Sequence, residues 1–546
     1  MGWRHDVSRL IGRLAAAAET RWAPLVVAVA AVGVWWLQAV AIPLAGGRDF
    51  ATYLGAYSEL FHSDPIDLGY VLGRTPLSPL VVGVLLDPFH GALAEPLMSL
   101  LYAASVTAWF LAARSFGGAP ALLTVAIVLL YPGYGIVMHE LSSDSVFAIA
   151  FAGWSLLVVR VLRSPSPSPR GFALVGLGVA LLVLVRPGNQ VLLVLAVIPL
   201  LVSARWRTRL VSSAAFVLAA VALLAALTVH NGVRYGDYTI ARGGNTRLPF
   251  ERAFLTDRIV RPENGPSSRE LARAVRRELL PQEPYRSYAV HLDDFFSDPS
   301  PRMIDDLGAL ANRKWGWEND ARILRDVAIE AIRTHPGTYS RGVATTVWDL
   351  LHQPVFRVLY SGGDARQASG APEASGTQDT IVIGGRTLPR PTEGQRIPAP
   401  HEGGPTSPDG SIYTVWTSPI EHHLVFLRSA DEERYIALHQ RMDELRANVP
   451  DRAGNYTLAL RLNQASRWFP PPVLWLVLGI VGLAVRRPAG MLALVTPAVA
   501  ALLVIVLDAL AIPSVPHYAV PAAPAFVLLA AGSLAGPRPA TVRMPP

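Results

Sequence analysis

Long apolar runs, separated by short loops that carry arginine, constrain this chain more than any other sequence feature. A membrane-spanning helix needs about 20 predominantly apolar residues, and ten segments approach that length. They lie near residues 24–45, 92–113, 119–137, 144–162, 171–186, 189–204, 209–229, 470–485, 489–510 and 517–535. The sequence therefore predicts an all-α polytopic membrane protein with about ten transmembrane helices.

Charge is concentrated in one polar insert, residues 231–468. The chain has 48 basic and 41 acidic residues, 89 in all, and about 60 of these lie in the insert. We divide the chain into an N-terminal membrane block (1–230, with a first exported loop at 46–91), the insert, and a C-terminal membrane block (469–546). The insert is predicted to be a mainly α domain with helices near 267–280, 318–333, 338–351 and 431–449. Its Gly-, Pro- and Ser-rich segment 361–410 predicts a mobile loop. The short apolar stretch 380–383 within it is compatible with a β-hairpin.

Arginine placement predicts which loops are cytoplasmic, because short cytoplasmic loops collect basic residues. With ten spans and a retained first anchor, the chain is predicted to lie in a bacterial inner membrane. Both termini are then on the cytoplasmic side, and residues 231–468 are exported. The short loops that then face the cytoplasm carry Arg114, Arg160, Arg163, Arg170, Arg205, Arg207, Arg209, Arg486, Arg487, Arg538 and Arg543. The apolar segment 76–89 is only about 14 residues long and is interpreted as re-entrant or interfacial, although a crossing is not excluded.

Composition excludes several classes of chemistry. The chain has no cysteine, which removes disulfides, thiol nucleophiles and thiolate metal sites. The net charge of +7 is spread over loops or balanced by nearby acids, so it indicates membrane topology and no nucleic-acid partner. No Gly-x-x-x-x-Gly-Lys phosphate loop is present.

The first candidate site follows the first span, in Gly-Gly-Arg48-Asp49-Phe-Ala-Thr-Tyr53. A carboxylate at the membrane surface, with Arg48 beside it and Tyr53 one helical turn later, could take a proton from a sugar hydroxyl. Capping of the following helix by Asp49 is the alternative.

A second acidic cluster, His139-Glu140-Leu-Ser142-Ser-Asp144, lies between the third and fourth spans. Glu140 and Asp144 are four residues apart, so on a helix they would share one face. Ionisable groups at this depth are costly and are usually functional. Alternatively, Ser142 or Asp144 only begins the fourth span.

Cationic groups near the same face form the third element: Arg74, Arg186 and His517, with Tyr518 beside the histidine. The planar fork of arginine donates two parallel hydrogen bonds to a phosphate. Arg186 is notable because it departs from the cytoplasmic bias of the other arginines. Snorkelling of its side chain to lipid headgroups is the alternative.

The order of these motifs resembles the GT-C superfamily of integral-membrane glycosyltransferases. The resemblance rests on the acid after the first span, the Pro-x-x-Pro segment at 76–79, and Ala-Ala-Arg-Ser-Phe-Gly-Gly at 112–118. It also rests on Glu140 with Ser-Asp close behind, Arg186-Pro, and His-Tyr-Ala-Val-Pro-Ala-Ala-Pro at 517–524. The similar branch contains protein O-mannosyltransferases and lipid A aminoarabinose transferases. Both membrane blocks are covered, whereas the insert matches only through Asn-Gly-Val-Arg-Tyr-Gly at 231–236.

The resemblance implies an inverting enzyme that moves a sugar from a polyprenyl-phosphate donor to a glycan, lipid or protein acceptor on the exported face. Asp49 maps onto the catalytic acid. The substrate-binding candidates are Arg48, Tyr53, Arg74, His139, Glu140, Asp144, Arg186, His517 and Tyr518. No cofactor is required, although a divalent cation held by Asp49, Glu140 and Asp144 stays open.

This chain departs from the family pattern at two positions. Many relatives carry two adjacent acids where this chain has Arg48-Asp49, and an arginine where it has His517. The missing second acid leaves open a noncatalytic scaffold with a transferase-like fold. A glycolipid transporter or flippase also stays open, because it would likewise use ten spans and intramembrane charge. The sequence does not specify the sugar, the acceptor or the linkage.

Overall fold

The computed structural model describes residues 12–535 except 61, 63–64, 203–204, 245, 283–284, 287, 317–318, 320, 357–379, 384–385, 390–400, 406–411, 417–421, 489 and 512–515. Most of the predicted mobile loop 361–410, together with Arg538 and Arg543, lies outside the described residues. What is described is mainly helical, and its two membrane blocks share one hydrophobic core.

The N-terminal membrane block contains a helical stretch at residues 12–18 and eleven further α-helices among its described residues. They are α1 Ala23–Ala41, α2 Phe50–Glu59, α3 Leu68–Leu72, α4 Leu77–Leu86, α5 Ala94–Arg114, α6 Gly118–Leu130, α7 Pro132–Met138, α8 Ser143–Arg163, α9 Pro169–Val185, α10 Ile198–Val202 and α11 Trp206–Tyr235. The 3₁₀ segment Pro187–Val197 leads into α10. Proline at the first turn of α7 and α9 suits a helix start, because the first amides have no intrahelical acceptor.

The insert begins while α11 is still helical. Its helices are α12 Arg247–Glu251, α13 Pro266–Ala274, α14 Leu292–Ser297, α15 Pro301–Trp315, α16 Arg322–Thr334, α17 Pro336–His352, α18 Ser429–Ala447 and α19 Tyr456–Trp468. The π-helical turns Arg252–Thr256 and Val275–Leu279 extend α12 and α13. All four predicted insert helices are present, with ends shifted by a few residues.

Two small antiparallel sheets lie in the insert. The hairpin left open by the sequence is present as β3 Thr380–Ile383 paired with β4 Arg386–Pro389. A three-stranded sheet has the order β5 His401–Pro405, β6 Ile412–Trp416 and β7 His422–Phe426. Residues 250–331 of the insert have their own core around Phe250, Phe254 and Phe295, whereas Leu351, Leu438 and other buried residues of the later insert helices pack into the core of the membrane helices.

The C-terminal membrane block consists of α20 Pro472–Arg486, α21 Met491–Ala511 and α22 Pro524–Ala535. Helices α19 and α20 together form one candidate span, Tyr456–Arg486. The predicted boundary at residue 469 therefore falls between the two helices of this segment, where α19, which carries Arg461 and Arg467, meets the apolar α20.

Six helical segments of the described chain are long and apolar enough to cross a membrane, and the bent pair α6–α7 raises the number to seven. The other three expected spans correspond to α9, to the segment Pro187–Val202 and to α22, which are shorter apolar helices. The 3₁₀ winding of Pro187–Val197 rises about 2 Å per residue, so this short segment covers more depth than an α-helix would. The chain is a mainly α, polytopic membrane protein.

Three of the loops predicted to be cytoplasmic meet at one end of the bundle, which we call the arginine end. Arg114 donates a hydrogen bond to the carbonyl of Glu19 at 2.5 Å. Arg163 stacks over the ring of Phe116 at 5.2 Å, and Gly490 packs against the same guanidinium. These contacts place the N-terminal segment and three arginine-bearing loops together, as the arginine pattern predicts.

The opposite end, which we call the site end, is joined by a short parallel pairing. Strand β1 Ala45–Gly46 follows α1 and pairs with β2 Glu140–Leu141, which follows α7. The pairing brings the loop with Asp49 beside the turn before α8. The two acidic motifs are therefore on one side of the bundle.

Helix α4 is short for a membrane-spanning helix. Its ten residues rise about 15 Å, half of the hydrocarbon thickness. The insert contacts the chain on both sides of α4: the amide of Arg242 donates to the carbonyl of Leu72 at the end of α3 at 2.7 Å, and Asn448 donates to the carbonyl of Leu86 at the end of α4 at 3.2 Å. This geometry agrees with the re-entrant or interfacial interpretation.

Candidate active site

Asp49 is held at the start of α2 by an ion pair and not by a helix cap. Its φ of 59° is left-handed, and its side chain accepts no capping hydrogen bond. Instead, Oδ2 lies 3.1 Å from Nη2 of Arg74, and both side chains are a little under 40% exposed. The capping alternative is therefore wrong for this side chain, whose carboxylate faces an accessible space.

Tyr53 lies in α2, one helical turn after Asp49. The ring is buried and its hydroxyl lies within hydrogen-bonding reach of Ser143. Burial, followed by the charge of Asp49, raises the pKa of Tyr53 to about 12. The phenol therefore stays protonated and acts as a hydrogen-bonding group.

Arg186 and Asp144 form a buried ion pair where α9 ends and α8 begins. Nη2 of Arg186 bonds Oδ1 of Asp144, and Nε donates to the Ser143 hydroxyl at 3.0 Å. The Ser142 hydroxyl accepts from the amide of Asp144 at 3.2 Å, so Ser142 caps α8 and leaves the carboxylate for Arg186. Nη1 of Arg186 is buried and has no hydrogen-bond partner among the described residues.

Tyr518 links the two arginines of the site end. Nη1 of Arg48 donates to the Tyr518 hydroxyl at 2.6 Å. The guanidinium carbons of Arg48 and Arg186 each lie 5.2 Å from the centre of the Tyr518 ring. The aromatic ring thus holds two cations near each other at modest cost, because its face carries negative charge.

Glu140 lies in β2 and faces His517, whose Nε2 is 3.8 Å from Oε1 of the glutamate. Gly47 lies directly against Glu140 and Ser142, since an added Cβ there would lie within 3.0 Å of both side chains. The position directly after β1 therefore favours glycine.

His139 is placed apart from the other predicted site residues. Its ring is fully buried and stacks on Trp35, with 4.3 Å between the ring centres. That environment is the core of the helix bundle. His139 therefore makes a packing contact there and does not face the accessible space beside Asp49.

The three carboxylates considered for a cation turn toward different partners: Asp49 to Arg74, Asp144 to Arg186 and Glu140 to His517. Among the described residues, no group of three His, Cys, Asp or Glu side chains is arranged to hold a metal ion.

Two acidic residues that the sequence did not assign to the site lie near it. Asp508, close to the carboxyl end of α21, is within electrostatic range of Arg186, Asp144 and Tyr518. Glu251 of the insert lies within electrostatic range of Arg48 and Arg74, and burial raises the pKa of its carboxyl. A lone acid in an apolar span was the available signal for Asp508. Glu251 gave none, because the insert is rich in acids.

The site thus combines one accessible carboxylate with several fixed cations. Asp49 can accept a proton from a hydroxyl, while Arg48, Arg74 and Arg186 surround the region with hydrogen-bond donors. Such preorganised donors stabilise negative charge that develops on a leaving oxygen. The arrangement suits transfer from a phosphate ester to a hydroxyl.

Comparison with known proteins gives one family match. Residues 89–230 match the family model described as dolichyl-phosphate-mannose-protein mannosyltransferase. The matched segment contains Asp144 and Arg186 and ends within α11. It supports the resemblance to GT-C glycosyltransferases drawn from the motifs. No curated protein matches the chain.

Two crystal structures show a weaker likeness. ArnT from Cupriavidus metallidurans bound to undecaprenyl phosphate is 15% identical, over 63% of this chain and 67% of that chain, with a TM-score of 0.31. The apo state of the same protein is 14% identical, over 62% and 65% of the two chains, with a TM-score of 0.30. At these TM-scores the likeness carries no argument about individual residues.

Proposed function

We propose that this protein is a membrane glycosyltransferase that takes a sugar from a polyprenyl-phosphate donor and gives it to an acceptor hydroxyl. The site end and the insert would face the exported side of a bacterial inner membrane, with the arginine end in the cytoplasm. The acceptor would be an envelope glycan, lipid or protein.

The observation that carries the proposal is the ion pair between Asp49 and Arg74 at the edge of a cationic region. The carboxylate is accessible and supplies the base, and the guanidinium beside it is positioned for phosphate. Because the two groups are 3.1 Å apart, a hydroxyl and a phosphate ester bound to them would lie next to each other.

In the proposed reaction, the acceptor oxygen attacks the anomeric carbon while Asp49 takes the hydroxyl proton. The bond between the anomeric carbon and the phosphate oxygen breaks, and its electron pair stays on the leaving polyprenyl phosphate. A single displacement of this kind inverts the anomeric configuration. Arg74, Arg186 and Arg48 stabilise the charge gained by the phosphate more than the charge present in the donor.

Transfer in vitro tests the proposal directly. Detergent-purified full-length protein would be mixed with radiolabelled undecaprenyl-phosphate mannose or undecaprenyl-phosphate arabinose and an envelope extract as acceptor. We expect sugar transfer by the wild type and a loss of at least about 100-fold in kcat for Asp49→Asn, the range typical of a general base.

Asp293→Asn is the matched control, because Asp293 is exposed on α14 of the insert. It should transfer sugar at the wild-type rate. Equal activity of wild type and Asp49→Asn would remove the base assignment. Movement of labelled donor across vesicle membranes without transfer would indicate a transporter, and donor binding without turnover would indicate a scaffold.

A further inference from the structure

Two buried polar atoms near Tyr518 lack hydrogen-bond partners, and they are of opposite kind. Nη1 of Arg186 is a donor and Oδ2 of Asp508 is an acceptor, and neither has a partner among the described residues. The two side chains are within electrostatic range of each other but do not bond. Leaving a buried polar atom without a hydrogen-bond partner is unfavourable, so a bound group that serves both atoms would be favoured.

The charges around Arg186 also favour a bound group that donates a hydrogen bond to Asp508. Asp144 already neutralises Arg186 through a direct ion pair, so Asp508 is a second carboxylate facing one cation. A second buried carboxylate needs a hydrogen-bond donor that carries no further negative charge. A sugar hydroxyl is such a donor, and the phosphate to which that sugar is linked would accept from Nη1.

The insert fixes the position of Asp508 from the other side. Buried Arg252 donates to the carbonyl of Ala509 and pairs with Asp257, with Nε 3.0 Å from Oδ2. Tyr339 donates to the carbonyl of Leu510 at 3.0 Å. These carbonyls belong to the last turn of α21, where carbonyl groups have no N–H donor within the helix. The insert supplies the donors, and it thereby holds the end of α21 that carries Asp508.

We propose that Asp508 is a sugar-specificity residue: its free carboxylate oxygen accepts a hydrogen bond from a hydroxyl of the donor sugar while Nη1 of Arg186 binds the linking phosphate. The inference rests on the proposed function and deepens it. It assigns recognition of the sugar to α21 and recognition of the phosphate to the end of α9.

Binding of paired lipids to the detergent-purified full-length protein tests this division. The probes are undecaprenyl phosphate without sugar, undecaprenyl-phosphate mannose and undecaprenyl-phosphate arabinose, measured by native mass spectrometry. Wild type should bind one sugar-bearing lipid more tightly than the bare lipid. Asp508→Asn should weaken that lipid at least tenfold and leave the bare lipid within twofold, whereas Arg186→Gln should weaken both.

Asp508→Asn is expected to fold, because it is isosteric and Arg186 keeps its partner Asp144. The control Asp87→Asn removes a carboxylate that pairs with Arg441 elsewhere at the site end, and it should bind all three lipids as the wild type does. An Asp508→Asn variant that loses both kinds of lipid equally, or loses neither, overturns the inference. A wild type that binds none of the three lipids refutes the proposed function itself.

Discussion

At the scale of single residues, burial determines which of two neighbouring site groups can exchange a proton. Asp49 is accessible and paired with Arg74, so it can exchange a proton with a substrate. Tyr53, one turn away, is buried and has a pKa of about 12, so it cannot. The assignment of the base therefore depends on exposure as much as on residue type.

The pH dependence of transfer tests this difference. A raised pKa means that Tyr53 keeps its proton from about pH 6 to pH 9, so its titration contributes nothing to the pH profile in that range. We expect Tyr53→Phe to lower kcat/KM about fivefold, through loss of a hydrogen bond worth about 1 kcal/mol, without changing the shape of the profile. A shift of either limb of the profile in Tyr53→Phe would show that the phenol titrates during the reaction.

At the scale of elements, the contact between the insert and α21 is the feature with the clearest energetic consequence. Arg252 is fully buried, contacts both Oδ atoms of Asp257 at 3.0 and 3.2 Å, and donates to the hydroxyl of Thr346 at 3.2 Å. Gly342 leaves room for this pair, because an added Cβ would lie 2.2 Å from Oδ1 of Asp257. Local composition gives no hint of it.

Breaking this contact should loosen the insert from the membrane helices. Arg252→Gln leaves Asp257 buried without its cation, a change that typically costs about 3 to 5 kcal/mol. We expect a lower midpoint of thermal unfolding and faster amide hydrogen exchange in α17, whose Thr346 and Tyr339 share the contact. Lys314→Gln is the matched control, since its ion pair with Glu278 is about one third exposed and should matter little. Similar exchange in the two variants would contradict the proposed role of Arg252.

At the scale of the whole molecule, the arrangement has two chemically distinct ends. Arginine-bearing loops meet at one end, and the ion pairs of Asp49 and Asp144 lie at the other. The segments before and after α4 both contact the insert, through the carbonyls of Leu72 and Leu86. The insert then covers this end through contacts to α4 and α21.

The absence of cysteine makes sidedness simple to measure. Single-cysteine variants His62→Cys, Phe89→Cys and Asp293→Cys should react with a membrane-impermeant maleimide from one side of oriented vesicles, and Arg487→Cys only from the other. The first two positions flank α4 and are exposed. Labelling of His62→Cys and Phe89→Cys from opposite sides would mean that α4 crosses the membrane.

Much of the fold follows from the sequence because apolar length and arginine placement are local signals. Every predicted apolar segment contains helix among its described residues, and three of the predicted cytoplasmic loops meet at one end. The number of full-length spans was less predictable, since bending of α6–α7 and 3₁₀ winding after Pro187 depend on packing. For the site, the sequence named Asp49, Arg74, Asp144 and Arg186, but it could not tell which carboxylate pairs with which arginine.

By itself, the sequence determined that this chain spans a membrane, where its polar insert lies and which charged residues are too costly to be incidental there. Those conclusions need only the free energy of transferring side chains into lipid, which each residue carries with it. The tertiary structure alone decided that Asp49 is accessible, that His139 packs in the core, and that Asp508 faces Arg186. These properties depend on distances between residues far apart in the chain, which are set when helices pack.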